Sequence, residues 1–199
     1  MKNIQFIPWV GKTYEQGVNG KKIMILGESH YCNHPSEAIA TLTIDVIQDL
    51  FDPNSEHEGY KNTYTKFERA LIGKPLSWKE KESVWNSVIF YNYVQTPISG
   101  ARQSPTTQEF ASSEEAFFEV LNKYQPDCII AWGKRLYNNL PRRGKQAADL
   151  LLPDDKYSET WSYTLENGRV VEILPITHPS AAFSPEYWYK AIQMFLNRL

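Results

Sequence analysis

The sequence is poor in the residues that build disulfide-stabilised folds and metal clusters. Only two of its 199 residues are cysteines, Cys32 and Cys128, and they form no C-x-x-C pair. This spacing supports neither a disulfide framework nor a zinc knuckle, so we expect two reduced thiols in a cytoplasmic protein. We expect no resident metal and no cofactor.

The chain also lacks long apolar runs and a large excess of either charge. No run is long enough to cross a bilayer and no signal peptide precedes the first predicted strand, so we expect no membrane partner. The 21 Lys and Arg residues nearly balance the 23 Asp and Glu residues, which leaves a net charge of −2. Nucleic-acid binding would therefore need a local basic face.

No Pro/Ser-rich linker, internal repeat or low-complexity tract divides the chain into parts. Its composition, with 42% hydrophobic and 14% aromatic residues, is typical of a compact domain with a sizeable core. We therefore predict one domain over residues 1–199. Residues 1–20 would form an N-terminal arm held by Phe6, Ile7 and Trp9, and we favour a monomer.

Apolar runs alternate with helical patterns along the chain and predict an α/β fold. Strands are predicted at Ile23–Leu26, Val88–Val94 and Cys128–Trp132, with a hairpin of Thr160–Leu165 and Arg169–Leu174. Helices are predicted at Glu37–Leu50, Lys61–Ile72 and Trp78–Trp85, from the capping-box signature Ser112–Glu115 to Tyr124, at Lys134–Leu140, across Ala147–Leu152 and at Pro185–Leu199. This order predicts a three-layer α/β/α domain, in which a mainly parallel central four-stranded sheet is extended by the C-terminal hairpin.

Four of the predicted strand ends carry glycine or polar side chains that a core does not need. They are GESHY at residues 27–31, Asn92, Trp132-Gly133 and His178-Pro179-Ser180. Ligands of parallel α/β sheets bind beyond the carboxyl ends of the strands, so we expect these stretches to meet at one edge. Gly27 would let the chain turn tightly and a ligand approach its backbone closely. The sequence therefore predicts an active site with residues 27–31 on one wall.

These stretches, in this order, resemble the motifs of the uracil-DNA glycosylase superfamily. GESHY is similar to a first motif that is Gly-Gln-Asp-Pro-Tyr in one branch and Gly-Glu-Ala-Pro-Gly in another. VIFYNYVQTP resembles the strand whose asparagine contacts the base, PDCIIAWGKRLYNNL a strand–glycine–helix segment, and ITHPSAAFS the closing His-Pro-Ser motif. The resemblance covers roughly residues 22–199. It implies the superfamily's fold and the hydrolytic excision of uracil or a related base from DNA.

The resemblance also implies a role for each polar side chain at this edge. His178 would donate to the pyrimidine oxygen that becomes anionic, and Asn92 would pair with the base through one donor and one acceptor. Tyr31 would exclude a 5-methyl group. Independently of the resemblance, Glu28 is the only carboxylate within the first motif, so we expect it to orient the attacking water, which the Ser29 hydroxyl can also hold.

Four residues are expected to contact DNA around this pocket. Ser180 and Phe183 follow His178 in the loop that enters DNA in this superfamily, where Phe183 would fill the gap left by a flipped nucleotide. Arg102 and Lys134 are candidates for phosphate contacts. DNA that contains uracil or a damaged base is thus the expected partner.

A purely structural role is open for several of these residues. His178 and Asn92 could close turns, and Glu28 could cap a helix. Phe183 could pack beside the last helix, and Lys134 could belong to a solvated surface. The residues alone do not decide between these roles and the functional ones.

The first motif departs from the superfamily at its catalytic position. Ser29 stands in place of the aspartate of the best-known branch, and His30 in place of the usual proline. The iron–sulfur branch has a glutamate at the position of Glu28, but its four cysteine ligands exceed the two cysteines of this chain. Because a serine hydroxyl is not a strong base at neutral pH, the second hypothesis is a non-catalytic domain of this fold that binds a base, nucleotide or partner.

Two further hypotheses invoke other chemistry. Ser29, Asp127 and His178 occur in the order of a serine-hydrolase triad, although Tyr31 stands where a nucleophile elbow prefers glycine. The His-x-Cys-x-His pattern of residues 30–34 offers metal ligands, although a spacing of one residue is not that of a zinc knuckle. We rank both below the glycosylase hypotheses.

Overall fold

The computed structural model describes residues 2–100 and 103–199, so Arg102, a predicted phosphate contact, lies outside the described residues. The strands are β1 Trp9–Val10, β2 Ile23–Gly27, β3 Val88–Asn92, β4 Cys128–Trp132, β5 Lys145–Gln146, β6 Leu150–Leu151, β7 Tyr157–Ser158, β8 Trp161–Thr164 and β9 Val170–Ile176. The helices are α1 Leu42–Asp49, α2 Lys61–Ile72, α3 Trp78–Asn86, α4 Thr107–Ser112, α5 Glu114–Tyr124, α6 Lys134–Asn138 and α7 Pro185–Arg198, with a 3₁₀ turn at Pro35–Glu37.

A seven-stranded sheet with the order β1-β3-β2-β4-β9-β8-β5 forms the centre of the fold. Its four middle strands, β3, β2, β4 and β9, are parallel, whereas β1, β8 and β5 add antiparallel edges. The predicted α/β class, parallel centre and hairpin are confirmed. Strand β9 joins the parallel centre of the sheet to its antiparallel edge, because it pairs in parallel with β4 and antiparallel with β8.

Helices cover both faces of the sheet because successive strand residues point to opposite sides. In β2, Ile23 and Ile25 pack into a core with α1, α2, α3 and α7. Met24 and Leu26 pack into a second core with α4, α5 and α6. Each fully buried aliphatic side chain contributes roughly 1.5–3 kcal/mol of transfer free energy, so the two cores hold the strand ends rigidly.

Several predicted boundaries are wrong for identifiable reasons. The first helix begins at Leu42 rather than Glu37, because Pro35–Glu37 closes a 3₁₀ turn instead. Ser112–Glu115 does not form the predicted capping box; in this region the box is formed by Thr106 and Glu109 at the start of α4. Between α4 and α5, Ser113 has helical backbone angles and donates its hydroxyl to the carbonyl of Glu109 at 2.8 Å.

Two more predictions fail near the ends of the sheet. The helix expected across Ala147–Leu152 is absent, since Leu150–Leu151 pairs with Tyr157–Ser158 as a separate two-stranded ribbon. In the N-terminal arm, Phe6 and Trp9 are buried as expected, but the Ile7 side chain is 39% exposed, and this residue holds the arm only through its backbone amide, which donates to the carbonyl of Ala40 at 2.8 Å. Of the helices in residues 2–100 and 103–199, none combines the length and apolarity needed to cross a membrane.

Candidate functional site

The predicted strand ends do meet, around one cavity of about 920 Å³ at the carboxyl edge of the parallel strands. Strand β2 lies between β3 and β4, so the chain changes direction across the sheet there, and such switch points are where open α/β sheets bind ligands. The parallel register sets Gly27 beside Asn92. Trp132 and His178 reach the same cavity from β4 and from the segment after β9.

The apolar wall of the cavity is a cluster of three aromatic rings. Tyr64 of α2 lies 5.6 Å from Phe90 and 5.4 Å from Trp132 between ring centroids, and Phe90 lies 5.3 Å from Trp132. All three rings line the cavity. A wall of packed aromatic rings favours a flat, aromatic ligand, because such a ligand can contact them over a large area.

His178 is held in one tautomer by the serine two residues later. Its Nδ1 lies 3.2 Å from the backbone nitrogen of Ser180 and 2.7 Å from the Ser180 hydroxyl. A backbone N–H can only donate, so Nδ1 is the acceptor and the proton of the neutral ring is on Nε2. Burial lowers the pKa of His178, which favours this neutral form. His178 is therefore a neutral N–H donor at the wall of the cavity.

Asn92 is 5% exposed and its carboxamide has a close neighbour at each end. Its Nδ2 lies 3.0 Å from Nε2 of His30. Its Oδ1 lies against Gly27, where an added Cβ would be 2.2 Å from this oxygen. The need for glycine at position 27 thus comes from the asparagine on the neighbouring strand and not from the predicted tight turn, because Gly27 is the last residue of β2 and its φ is not positive.

His30, to which the glycosylase hypothesis assigns no role, is a buried part of this arrangement. Its Nε2 also lies 2.8 Å from the hydroxyl of Thr43 on α1, and its ring contacts Phe6 at a centroid distance of 4.7 Å. Burial lowers the pKa of His30 to about 4. The imidazole is therefore neutral at physiological pH, and its position is fixed by residues from three separate segments.

Glu28 forms an ion pair with Arg135, the second residue of α6. The guanidinium donates from Nε to one carboxylate oxygen at 2.8 Å and from an Nη to the other at 2.5 Å. Arg135 also donates to the hydroxyl of Ser104. The carboxylate is 9% exposed, so this bidentate pair neutralises it at the wall of the cavity. Each oxygen keeps a lone pair that can accept from a water.

Ser29 and Tyr31 lie on either side of His30 and differ in exposure. The Ser29 hydroxyl oxygen is buried and has no hydrogen-bond partner among the described residues, although the residue itself lines the cavity. Tyr31 is 47% exposed at the mouth. The segment is fixed to the chain after β3, since the amides of Tyr93 and Val94 donate to the carbonyls of Gly27 and Glu28.

The predicted DNA contacts lie in three different settings. Ser180 is exposed at the rim and bonds His178. Phe183 is half-buried and stacks on Trp188 of α7, so it packs as the structural alternative predicted. Lys134 is exposed, lines the cavity and forms no ion pair within residues 2–100 and 103–199.

The positions of the residues support neither the serine-hydrolase hypothesis nor the metal-site hypothesis. Asp127 precedes β4 at the amino end of the sheet and bonds the backbone of Lys22, whereas His178 lies at the carboxyl end. These residues cannot form a triad with Ser29. Within the described part of the chain, no three His, Cys, Asp or Glu side chains are grouped as metal ligands.

Sequence reasoning missed the contribution of α2 to this cavity. Thr63 and Tyr64 of α2 line it from the side, together with Tyr60 immediately before the helix. Their helix was predicted, but its spacing is that of an ordinary amphipathic helix and gives no sign that these residues face a cavity rather than the core. Phe90 also lines the cavity, but it lies within the continuous apolar run of β3, where nothing in the sequence distinguishes it from a core residue.

The chain was also compared with known proteins. A scan against protein-family models finds no match, and a search of the curated proteins finds none either.

The lip of the cavity beside Tyr60 is held by a partly buried ion pair whose strength depends on pH. Lys61, 7% exposed, contacts the Asp49 carboxylate at 2.7 Å and the carbonyl of Glu56 at 2.8 Å. Burial alone would raise the pKa of Asp49, but hydrogen bonds from Lys61, Ser55 and Tyr60 outweigh it and lower the pKa to about 2.

A carboxyl group with a lowered pKa stabilises the folded state above its ordinary pKa, near 3.8, and loses that contribution as the pH falls towards 2. Asp49→Asn should therefore destabilise the protein at pH 7, and the difference from wild type should shrink below about pH 4. Urea unfolding across this range measures it. Wild-type and variant stabilities that stay parallel down to about pH 2 would refute the assignment.

Proposed function

We propose that the protein is a uracil-DNA glycosylase-like enzyme, which flips uracil or a related damaged base out of DNA and hydrolyses its N-glycosidic bond. The observation that carries this proposal is that the neutral N–H donor of His178 and the carboxamide of Asn92 line the same cavity, which has an aromatic wall. The parallel centre, the strand order and the positions of the four motif-like stretches support the superfamily's fold for this chain.

The proposed reaction breaks the bond between the sugar C1′ and the base nitrogen. The electron pair leaves with the base, whose carbonyl oxygen becomes negative, and the oxygen of a water bonds C1′. Nε2–H of His178 would stabilise the oxygen, while Asn92 binds the base edge and the aromatic wall contacts its face. Glu28 would orient the water through its free lone pairs and pass the released proton to solvent.

The Glu28–Arg135 pair specifically favours a second candidate, a non-catalytic domain that binds a base or nucleotide. Glu28 is the only carboxylate that lines the cavity in the described residues, and both of its oxygens are bonded to a guanidinium. The two N–H donors occupy one acceptor position on each oxygen, so this carboxylate has fewer positions left for a water than a free one. A protein with this geometry could bind a flipped base without releasing it.

Base release from a uracil-containing oligonucleotide separates the two candidates. Single- and double-stranded substrates would be incubated with the protein and treated with alkali, which cleaves the strand at abasic sites. We expect cleavage by the wild type and a strong loss in Glu28→Ala, whereas Glu37→Ala, an exposed glutamate outside the cavity, should stay active. Uracil binding without release would support the non-catalytic candidate, and neither binding nor release would reject both.

A further inference from the structure

We propose that His30 is a positioning residue that fixes the orientation of the Asn92 carboxamide, and that the pocket thereby discriminates uracil from cytosine. This inference rests on the proposed function for its substrate, but its structural part can be tested without one. His30 is the one buried imidazole in the described cavity wall, and the proposed chemistry assigns it no step.

The direction of the hydrogen bond between the two side chains follows from their chemistry. Asn92 Nδ2 carries only donors, so Nε2 of His30, 3.0 Å away, must be the acceptor. The Thr43 hydroxyl, 2.8 Å from the same nitrogen, can donate to it as well. The proton of the neutral imidazole is then on Nδ1, and the carboxamide can turn over only if that proton moves to Nε2.

The opposite end of the carboxamide is restricted too. Asn92 Oδ1 lies against the backbone of Gly27, whose missing side chain leaves the room for it. The amide nitrogen of Asn92 therefore faces His30, and its amide oxygen faces Gly27. The imidazole itself cannot turn away, because Phe6 and Thr43 pack against it and it is 7% exposed.

A fixed carboxamide selects one of two pyrimidine edges. Uracil presents a ring N–H beside a carbonyl oxygen, whereas cytosine presents an unprotonated ring nitrogen beside an amino group. These edges are complementary to opposite orientations of the same amide. An asparagine that could turn over would accept both, so the group that holds it decides the specificity.

Substitution of His30 should therefore change selectivity and not merely activity. In His30→Leu the amide loses its acceptor, and we expect the preference for uracil over cytosine to fall by about tenfold or more, the effect of one lost orienting hydrogen bond. His30→Gln can place an amide oxygen near the position of Nε2, so it should keep the preference within about threefold. Release and binding would be measured on oligonucleotides that differ only at the target base.

A control separates orientation from general destabilisation. Val171→Ala removes a fully buried side chain from β9, near the opposite end of the sheet, and should lower stability without altering the preference. If His30→Leu keeps the wild-type preference at matched stability, the proposal is wrong. It is equally wrong if Val171→Ala loses the preference to the same extent.

The ring proton gives a test that needs no substrate. Nitrogen-15 NMR of the histidine rings, assigned with His30→Gln, should show an unprotonated Nε2 and a protonated Nδ1 in His30 of the ligand-free wild type. A proton on Nε2 would overturn the proposal, because that nitrogen could not accept from Asn92. If the wild type neither binds nor releases uracil, the proposed function fails, and this measurement alone decides whether His30 orients Asn92.

Discussion

Replacing His178 by alanine is expected to lower base release by about 100- to 1,000-fold, the usual effect of removing one donor to a developing oxyanion. The neutral ring presents Nε2–H because Nδ1 is occupied by Ser180. Negative charge builds on the base oxygen only as the glycosidic bond breaks, so the donor acts on the transition state more than on the bound substrate. The rate of single-turnover release should therefore fall much more than the affinity for the uracil-containing strand.

The chain offers a matched control for this substitution. His57 is exposed in the loop before α2 and lies outside the cavity, so His57→Ala should release base at the wild-type rate. Thermal unfolding of His178→Ala should stay close to wild type, because the side chain is only partly buried at the rim. Loss of folding would assign His178 a structural role, and unchanged release would remove it from the proposed mechanism.

Ser180 should affect the same reaction to a smaller extent. Ser180→Ala removes the hydroxyl from Nδ1 but keeps the backbone N–H, which still favours a proton on Nε2. We expect a loss of release below about tenfold, in line with one hydrogen bond of about 1 kcal/mol. An effect as large as that of His178→Ala would show that the serine has a direct role.

The position of the site was predictable from the sequence because strand ends have a clear signal. An apolar run that stops at Gly27 or at Asn92 marks both a strand and the edge to which it points, and parallel strands bring such ends together. Helix α2 was predicted because its apolar residues recur with the period of a helix. Strand β3 was predicted because its residues form a short continuous apolar run. What failed were short elements such as β6, in which two residues carry no period at all.

The direction of side chains within the site could not be predicted. Glu28 and Arg135 are 107 residues apart in sequence, and His30 and Asn92 are 62 apart. Nothing local to Glu28 indicates that its carboxylate is paired, and nothing local to His30 indicates that it contacts an asparagine. Such pairs follow from strand order and register, which the sequence leaves open.

The substitution Gly27→Ala should abolish base release, because the added methyl group would occupy the place of the Asn92 side chain. Its Cβ would be 2.2 Å from Oδ1 of Asn92 and 3.0 Å from the ring of Phe90. The backbone of β2 cannot move aside, since it is paired with β3 on one side and β4 on the other. The clash must be relieved by Asn92, which would lose its contacts with both Gly27 and His30.

The expected loss exceeds that of most single side chains at this site. Overpacking at such a position costs about 1–3 kcal/mol of folding stability, and the displaced carboxamide no longer binds the base edge. Release should fall by more than about 100-fold together with uracil binding, which distinguishes this variant from His178→Ala. Binding by fluorescence anisotropy and release by alkaline cleavage, both on the same oligonucleotide, measure the two effects.

Gly59→Ala is the matched control for Gly27→Ala, because it adds the same methyl group in the loop before α2, where nothing lies within 4 Å. It should keep wild-type binding and release. If Gly27→Ala also binds uracil normally and its crystal structure shows Asn92 unmoved, the contact between β2 and the asparagine is not what shapes the pocket. If Asn92 is displaced and binding persists, the asparagine does not bind the base, and His178 with the aromatic wall must account for recognition.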